Sequence, residues 1–302
     1  MANEQNPLAS YFRKPKLSIT LPSHGRWYGD NNLTLDSDGT LKIYAMTAQD
    51  DIKLRTGDAV LTGANIFDVI KSCLPGIKDP EKIPAIDIDT ILLAIRCASY
   101  GPSIDFSVIV PGTTLVRKVK LDGYAMISEI TSRKDVWDSE IIIEGDDNTR
   151  IEMLVQPVSF KNILATSKAI FKQRQQISKS IDLNNGINDE ANFSESLRSL
   201  SKSSIDLLTS GVSVLKIIQN NQEIVSLSST SPQDILQIGN TLNDIDIEYF
   251  NGIRSHLDLQ RKKYAFYTPT IKSNSEELEA GAPESWTSEI TFLGSNFLPD
   301  QK

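Results

Sequence analysis

An α+β fold is the class this sequence predicts, and three observations carry it. Apolar residues recur at spacings of three and four between residues 47 and 100, at a spacing of two between 104 and 121, and at helical spacing again after residue 158. Turn-forming pairs, Pro75-Gly76, Gly101-Pro102 and Pro111-Gly112, stand where the pattern breaks. The chain also lacks any self-similar period of about 20 to 50 residues, which argues against a solenoid. These signals divide it into a small N-terminal α+β domain with β-hairpins (1–157), a central antiparallel helical hairpin (158–228), and C-terminal helices followed by a terminal β-ribbon (229–302).

Taken in order, Ser18 to Leu21 and Leu41 to Tyr44 read as short strands, with Pro22-Ser23-His24-Gly25 a turn between them. Thr47-Ala48-Gln49-Asp50 has the form of a capping box, in which hydroxyl and carboxylate satisfy each other's free backbone amides. It opens a helix ending near Gly57. A second helix carries Ile66, Phe67, Ile70, Cys73 and Leu74. A third, from about Asp87 to Tyr100, is apolar on both sides and is predicted to be buried all round. Ile104 to Val110 and Leu115 to Leu121 form one hairpin, and Ile141 to Ile143 pairs with Ile151 to Val155 in another. Ile163, Ile170 and Ile177 recur every seven residues, but Ser167 and Arg174 interrupt the seam, so no long free coiled coil is predicted. After the break at Asn184-Asn185-Gly186, Phe193, Leu200, Leu207 and Val214 repeat at seven and complete the helical hairpin. Ser231-Pro232 caps the next helix, and Tyr249, Phe250, Ile253 and Leu257 form a further stripe. Tyr264 to Ile271 and Trp286 to Leu293 are the strands of the terminal ribbon, on either side of an acidic, turn-rich stretch from Ser273 to Pro283.

The 302 residues are 39% hydrophobic and 23% charged, which suits a chain able to bury cores. The net charge of −8 argues against broad nucleic-acid binding, which requires clustered Lys and Arg. Apolar runs such as Ile91 to Ile95 fall well short of the roughly 18 residues of a membrane span. The start, Met1 to Asn6, has no secretory-signal pattern, so a cytoplasmic protein is expected. Cys73, Cys97, His24 and His256 stand singly, without the grouping of a zinc site. No metal or cofactor is expected, and both cysteines read as small core residues.

Catalytic motifs are equally scarce. The sequence has no phosphate loop, dinucleotide fingerprint, His-Glu-x-x-His or Gly-x-Ser-x-Gly. Ser23 and His24 are neighbours, but adjacency does not supply the oriented base that a nucleophile needs. Asp87 and Asp89 offer two carboxylates to a divalent metal, the basis of an alternative reading as a metal-dependent hydrolase, although acidic residues are favoured in a helix's first turn without any ligand. Asp146-Asp147-Asn148 resembles half a calcium loop and is more simply a hairpin turn. From Phe160 to Ile181 there are five basic residues and no acidic one; Lys168, Lys172 and Arg174 are candidates for docking an acidic protein surface, with Glu276, Glu277 and Glu279 as possible complements.

The region from Leu21 to Gly101 resembles the baseplate hub protein family of T-even-type contractile-tailed phages. The resemblance rests on an ordered set: Leu21-Pro22-Ser23-His24-Gly25-Arg26-Trp27-Tyr28, Met46 to Asp51, the Asn65 to Leu74 helix, Asp87-Ile88-Asp89, and Ile95-Arg96-Cys97-Ala98-Ser99-Tyr100-Gly101. Trp286 to Phe292 and Asn296-Phe297-Leu298 are similar to the family's closing strand. Relatives place paired cysteines where this chain reads Val110-Pro111-Gly112-Thr113 and Gly281-Ala282-Pro283-Glu284, so Pro-Gly turns would have to hold the same hairpin shape here. The resemblance implies a non-enzymatic role in building a tail baseplate hub, with other hub or tail proteins, and possible further copies of itself, as partners. It places the chain in the host cytoplasm during assembly and in the virion baseplate afterwards. An assembly chaperone absent from the mature virion is the alternative. Leu21, Pro22, Gly25, Trp27, Tyr28, Arg96, Tyr100, Gly101, Trp286 and Phe297 are the candidate interface or motif residues, each with a competing role in core packing.

Overall fold

A computed structural model of the chain describes residues 13–55, 64–145, 148–182 and 202–292. Mixed helices and small antiparallel sheets make the fold α+β, as expected. The described residues form two compact units. The first runs to Lys134 and resumes at Tyr264; the second is Asp135–Lys263. The expected three-way division at 157 and 228 is thereby replaced. Hairpin 140–155 belongs with the sheet that follows it, and the tail belongs with the N-terminal half.

In the first unit, strands β1 (Pro15–Ile19) and β2 (Leu41–Tyr44) pair antiparallel, with Leu17 opposite Ile43 and Ile19 opposite Leu41. Helices α1 (Ala48–Arg55), α2 (Ala64–Cys73) and α3 (Ala85–Tyr100) follow. The capping box at α1 is formed: Thr47 N–H donates to Asp50 at 2.8 Å and Asp50 N–H to the Thr47 hydroxyl at 3.1 Å. Helix α3 is the centre of the unit, buried almost continuously from Ile86 to Cys97. Gly101 ends it with φ of 89° and its N–H on the Cys97 carbonyl at 2.9 Å, a backbone geometry that glycine adopts without penalty. Strands β3 (Ser103–Ile109) and β4 (Val116–Asp122) form the predicted hairpin and bury Ile104, Phe106, Val108 and Leu121 on one face.

Helix α4 (Gly123–Ser132) was not anticipated, yet its signal is local: the Asp122 carboxylate accepts the N–H groups of Tyr124 and Ala125 as an N-cap. Gly123 is needed there because a Cβ would lie 2.3 Å from Cys97 Sγ.

The second unit is one four-stranded antiparallel sheet, in the order β5 (Glu140–Glu144), β6 (Thr149–Val155), β7 (Val212–Gln219), β8 (Gln222–Ser228). Its inner face meets α6 (202–211), α7 (Pro232–Asp244) and α8 (Ile247–Lys262) in a core of Ile141, Met153, Val155, Leu215, Ile238, Leu242 and Ile253. Helix α5 (Phe160–Asp182) exists as predicted. Its expected antiparallel partner does not extend through 228, because residues 212–228 are a β-hairpin. The seven-residue recurrence of Leu207 and Val214 fits either geometry. Val212, Val214, Ile217, Ile218, Ile224 and Val225 are β-branched and favour the pleated surface. Asn220 and Asn221, both left-handed at φ 50° and 61°, make the tight two-residue turn. Phe193 and Leu200 of the predicted stripe, and the Asn184 break, lie outside the described residues.

The tail returns to the first unit as two short ribbons: β9 (Phe266–Tyr267) pairs with β12 (Glu289–Ile290), and β10 (Ile271–Lys272) with β11 (Ser285–Trp286). Part of the acidic stretch between them, expected to be turns, is a short helix, α9 (Ser275–Glu279), closed by a capping box between Asn274 and Glu277. Among the described residues no helix is long and apolar enough to cross a membrane.

Candidate functional site: a locked turn on the central helix

The segment Leu21 to Tyr28 folds back on itself through left-handed residues, His24 at φ 52°, Gly25 at 79° and Trp27 at 67°. Glycine takes that conformation freely, but for a bulky tryptophan it is unusual and has to be imposed by surrounding contacts. The contacts are visible. Asp87, in the first turn of α3 and fully buried, accepts the Ser23 N–H at 2.8 Å, the Ser23 hydroxyl at 2.5 Å and the Tyr28 hydroxyl at 2.9 Å. Leu21, Pro22, Ser23 and Tyr28 are buried beneath the turn, with Tyr28 2% exposed. Burial pushes the Asp87 carboxyl up to about 6, against the opposing pull of Ser23, Tyr28 and Arg26. Burial, and then the proximity of Asp87, likewise raise the Tyr28 hydroxyl well above its ordinary value.

The lock carries an Arg-Trp pair in which Trp27 is half-buried. Arg26 is exposed and lies over the Trp27 ring at 4.6 Å from its centroid, while its Nε donates to the Ser23 carbonyl at 3.2 Å. The guanidinium is thus held at Nε and across its face. Arg26 itself was not singled out from the sequence; the cue, an Arg-Trp dipeptide inside a turn, was present in the motif.

Asp89 performs a parallel task elsewhere. It accepts the Phe292 N–H at 2.6 Å and the Thr291 hydroxyl at 3.1 Å, fastening this part of the tail to α3. Phe292 in turn meets Phe266 edge-on at 5.9 Å between ring centroids. Two residues along a helix are about 200° apart around its axis, so Asp87 and Asp89 point to different neighbours. This corrects the shared-metal reading: both carboxylates are engaged in holding chain segments, and among the described residues no group of three His, Cys, Asp or Glu converges as a metal cage. The thiols of Cys73 and Cys97 are pushed up to about 12 and about 11 by burial, which makes them unreactive core groups.

The remaining candidates do not form one site. Arg96 is buried in α3. Tyr100, partly exposed at the far end of that helix, donates to Asp51, which also pairs with Arg55 at 2.9 Å. Trp286 is buried with its indole N–H on the Ser273 hydroxyl at 3.2 Å. Lys168 and Lys172 are exposed on α5 in the second unit. The Arg174 side chain and Phe297 lie outside the described residues, as do Asp146 and Asp147.

The expected partners of the basic helix include Glu277, and here the structure differs. Glu277 is buried, paired with Arg117 of β4 at 3.0 Å, and Arg117 also donates to the Lys272 carbonyl at 2.9 Å. The two Pro-Gly turns flagged in the sequence come together: a Cβ at Gly112 would stand 3.1 Å from the Gly281 carbonyl oxygen. Backbone contact joins these two turns, and the ion pair joins the strand and helix beside them.

No curated protein and no solved structure shows a significant match to this chain. A family described as T4 bacteriophage base plate protein matches residues 15–268. The matched span takes in the locked turn, the whole of α3 and the second unit. The chain therefore belongs to the T4 bacteriophage base plate protein family.

Proposed function

We propose that this chain is a non-enzymatic building element of the hub of a contractile-tail baseplate, acting through contacts with other baseplate proteins. The observation that carries the reading is the Arg26–Trp27 pair, with Arg26 exposed, on a turn locked to α3 by Asp87. Arginine and tryptophan are the residue types that dominate binding energy at interfaces, and a preset conformation lowers the ordering cost of docking. Backbone strain at Trp27 fits a position shaped for presentation, since packing alone does not call for a left-handed tryptophan. Asp87 and Asp89, the carboxylates that a hydrolase would need, are occupied in holding the turn and the tail.

The test is a phage carrying Arg26→Ala and Trp27→Ala together. The purified variant is expected to keep its melting temperature within a few degrees, while infectious particles fall at least tenfold and baseplates stall before completion. Normal particle yield from a folded variant would overturn the reading. Mass spectrometry of purified virions decides between a permanent hub component, present at fixed copy number, and a chaperone that leaves before completion.

A further inference from the structure

Each unit ends in an open strand edge, and the two edges carry opposite charge. Among the described residues β4 of the first unit pairs with β3 alone, and its residues 116, 118 and 120 turn their backbone N–H and C=O groups away from β3. The same residues, Val116, Lys118 and Lys120, are the exposed ones. In the second unit β5 is the first strand of its sheet, and Glu140, Ile142 and Glu144 are likewise turned outward and exposed. A basic edge with a valine and an acidic edge with an isoleucine are therefore both unpaired among the described residues. The aliphatics beside them are unusually bare for strand residues: Ile109 is 66% exposed, Val116 63% and Ile142 58%.

We propose that copies of this chain associate head to tail, β4 of one copy adding to β5 of the next as an antiparallel strand. In the register that sets Glu140 opposite Lys118, Ile142 falls opposite Val116, so one charge pair and one apolar pair form on the same face. Ile109, next to Val116 across β3, extends the covered apolar strip. The Glu140 N–H already donates to Asp138 at 3.2 Å, so the new ladder begins at the Glu140 carbonyl. Pairing β5 with its own copy is disfavoured, because antiparallel self-pairing about Ile142 brings Glu140 against Glu144. The two surfaces differ, so association is heterologous and continues into a ring or a row of copies. A few strand residues bury little area, so the contact is weak in free solution and suited to a scaffold that concentrates the chains. The inference rests on the reading that the chain works by contact with polypeptides, and names one of those polypeptides as the chain itself.

The experiment uses the full chain in analytical ultracentrifugation at low and high salt. The native chain is expected to show a mass that rises with concentration at low salt and returns toward monomer at high salt. Lys118→Glu with Lys120→Glu, and separately Glu140→Lys with Glu144→Lys, should each weaken association at least tenfold while circular dichroism stays native. Mixing the two reversed chains should restore it, since every edge then meets its opposite. The proposal fails if the native chain stays monomeric at low salt, if either reversed chain associates as the native one does, or if the mixture stays monomeric with both chains folded. None of these outcomes bears on virion incorporation, so loss of self-association leaves the Arg26–Trp27 reading to its own test.

Discussion

The two units solve the same problem of holding secondary structure together by different means. The first is organised around one buried helix, α3, and uses buried polar anchors: Asp87 fastens a turn 64 residues earlier, and Asp89 a strand end 203 residues later. The second is a single sheet with helices on one face, held by a continuous aliphatic core. An anchored unit concentrates its stability at a few polar atoms, whereas a sheet core spreads it over many apolar contacts. Substitutions should therefore be sharply position-dependent in the first unit and graded by buried volume in the second.

The largest expected effect comes from removing an anchor. Asp87→Ala leaves the Ser23 N–H and two hydroxyls buried without their acceptor, and should lower the stability of the first unit by about 3 kcal/mol or more, read by urea denaturation. Asp87→Asn sharpens the point. The folded carboxyl titrates near 6 rather than near its ordinary 3.8, so the folded state holds the proton more tightly than the unfolded chain. Its contribution to stability is fully present below the ordinary value and is lost as pH rises through about 6. The native chain should lose up to about 3 kcal/mol relative to Asp87→Asn over that window, and a difference independent of pH would contradict the buried-carboxylate account.

In the second unit, Ile238→Ala removes a fully buried side chain from the sheet–helix core and should cost about 2–4 kcal/mol, with neighbouring truncations scaling with the volume removed. Gly123→Ala and Gly252→Ala compare the units directly by thermal melting. At Gly123 a methyl collides with Cys97 and crowds Leu93 and Ile104, which should cost about 1–3 kcal/mol. At Gly252, inside α8, nothing lies within 4 Å, so the same change should stabilise by about 0.5–1 kcal/mol through helix propensity. The smallest effect is expected at the exposed Lys216–Glu223 pair, where Glu223→Gln should leave the midpoint of unfolding unchanged.

Much of this architecture is legible locally. The Thr47–Asp50 box, the Ser231-Pro232 start, the Gly101 stop and the alternation in β3 to β6 each involve residues close in sequence, and each is found in the structure. The hairpin of β7 and β8 departs from the expected helix because valine and leucine recurring at seven satisfy a helical stripe as well as a strand, and the Asn220-Asn221 turn carries the deciding information. Helix α4 was missed although its Asp122 cap stood in plain view. The candidate site was only half legible. Trp27 and Tyr28 stand within the motif, but the Asp87-x-Asp89 spacing suggests a metal ligand where the partners of Asp87 are Ser23 and Tyr28.

The sequence by itself determined the fold class, the helices and hairpins of the N-terminal half up to Leu121 and the ordered motif set, because capping, periodicity and turn chemistry act over a few residues. Only the tertiary structure decided that the chain leaves the first unit at Lys134 and re-enters it at Tyr264, that two aspartates two positions apart hold segments more than 260 residues apart in sequence, Ser23 and Phe292, and that Gly112 meets Gly281. Those facts depend on which distant segments share a core, and a buried donor takes the acceptor that folding brings within reach, wherever that acceptor stands in the sequence.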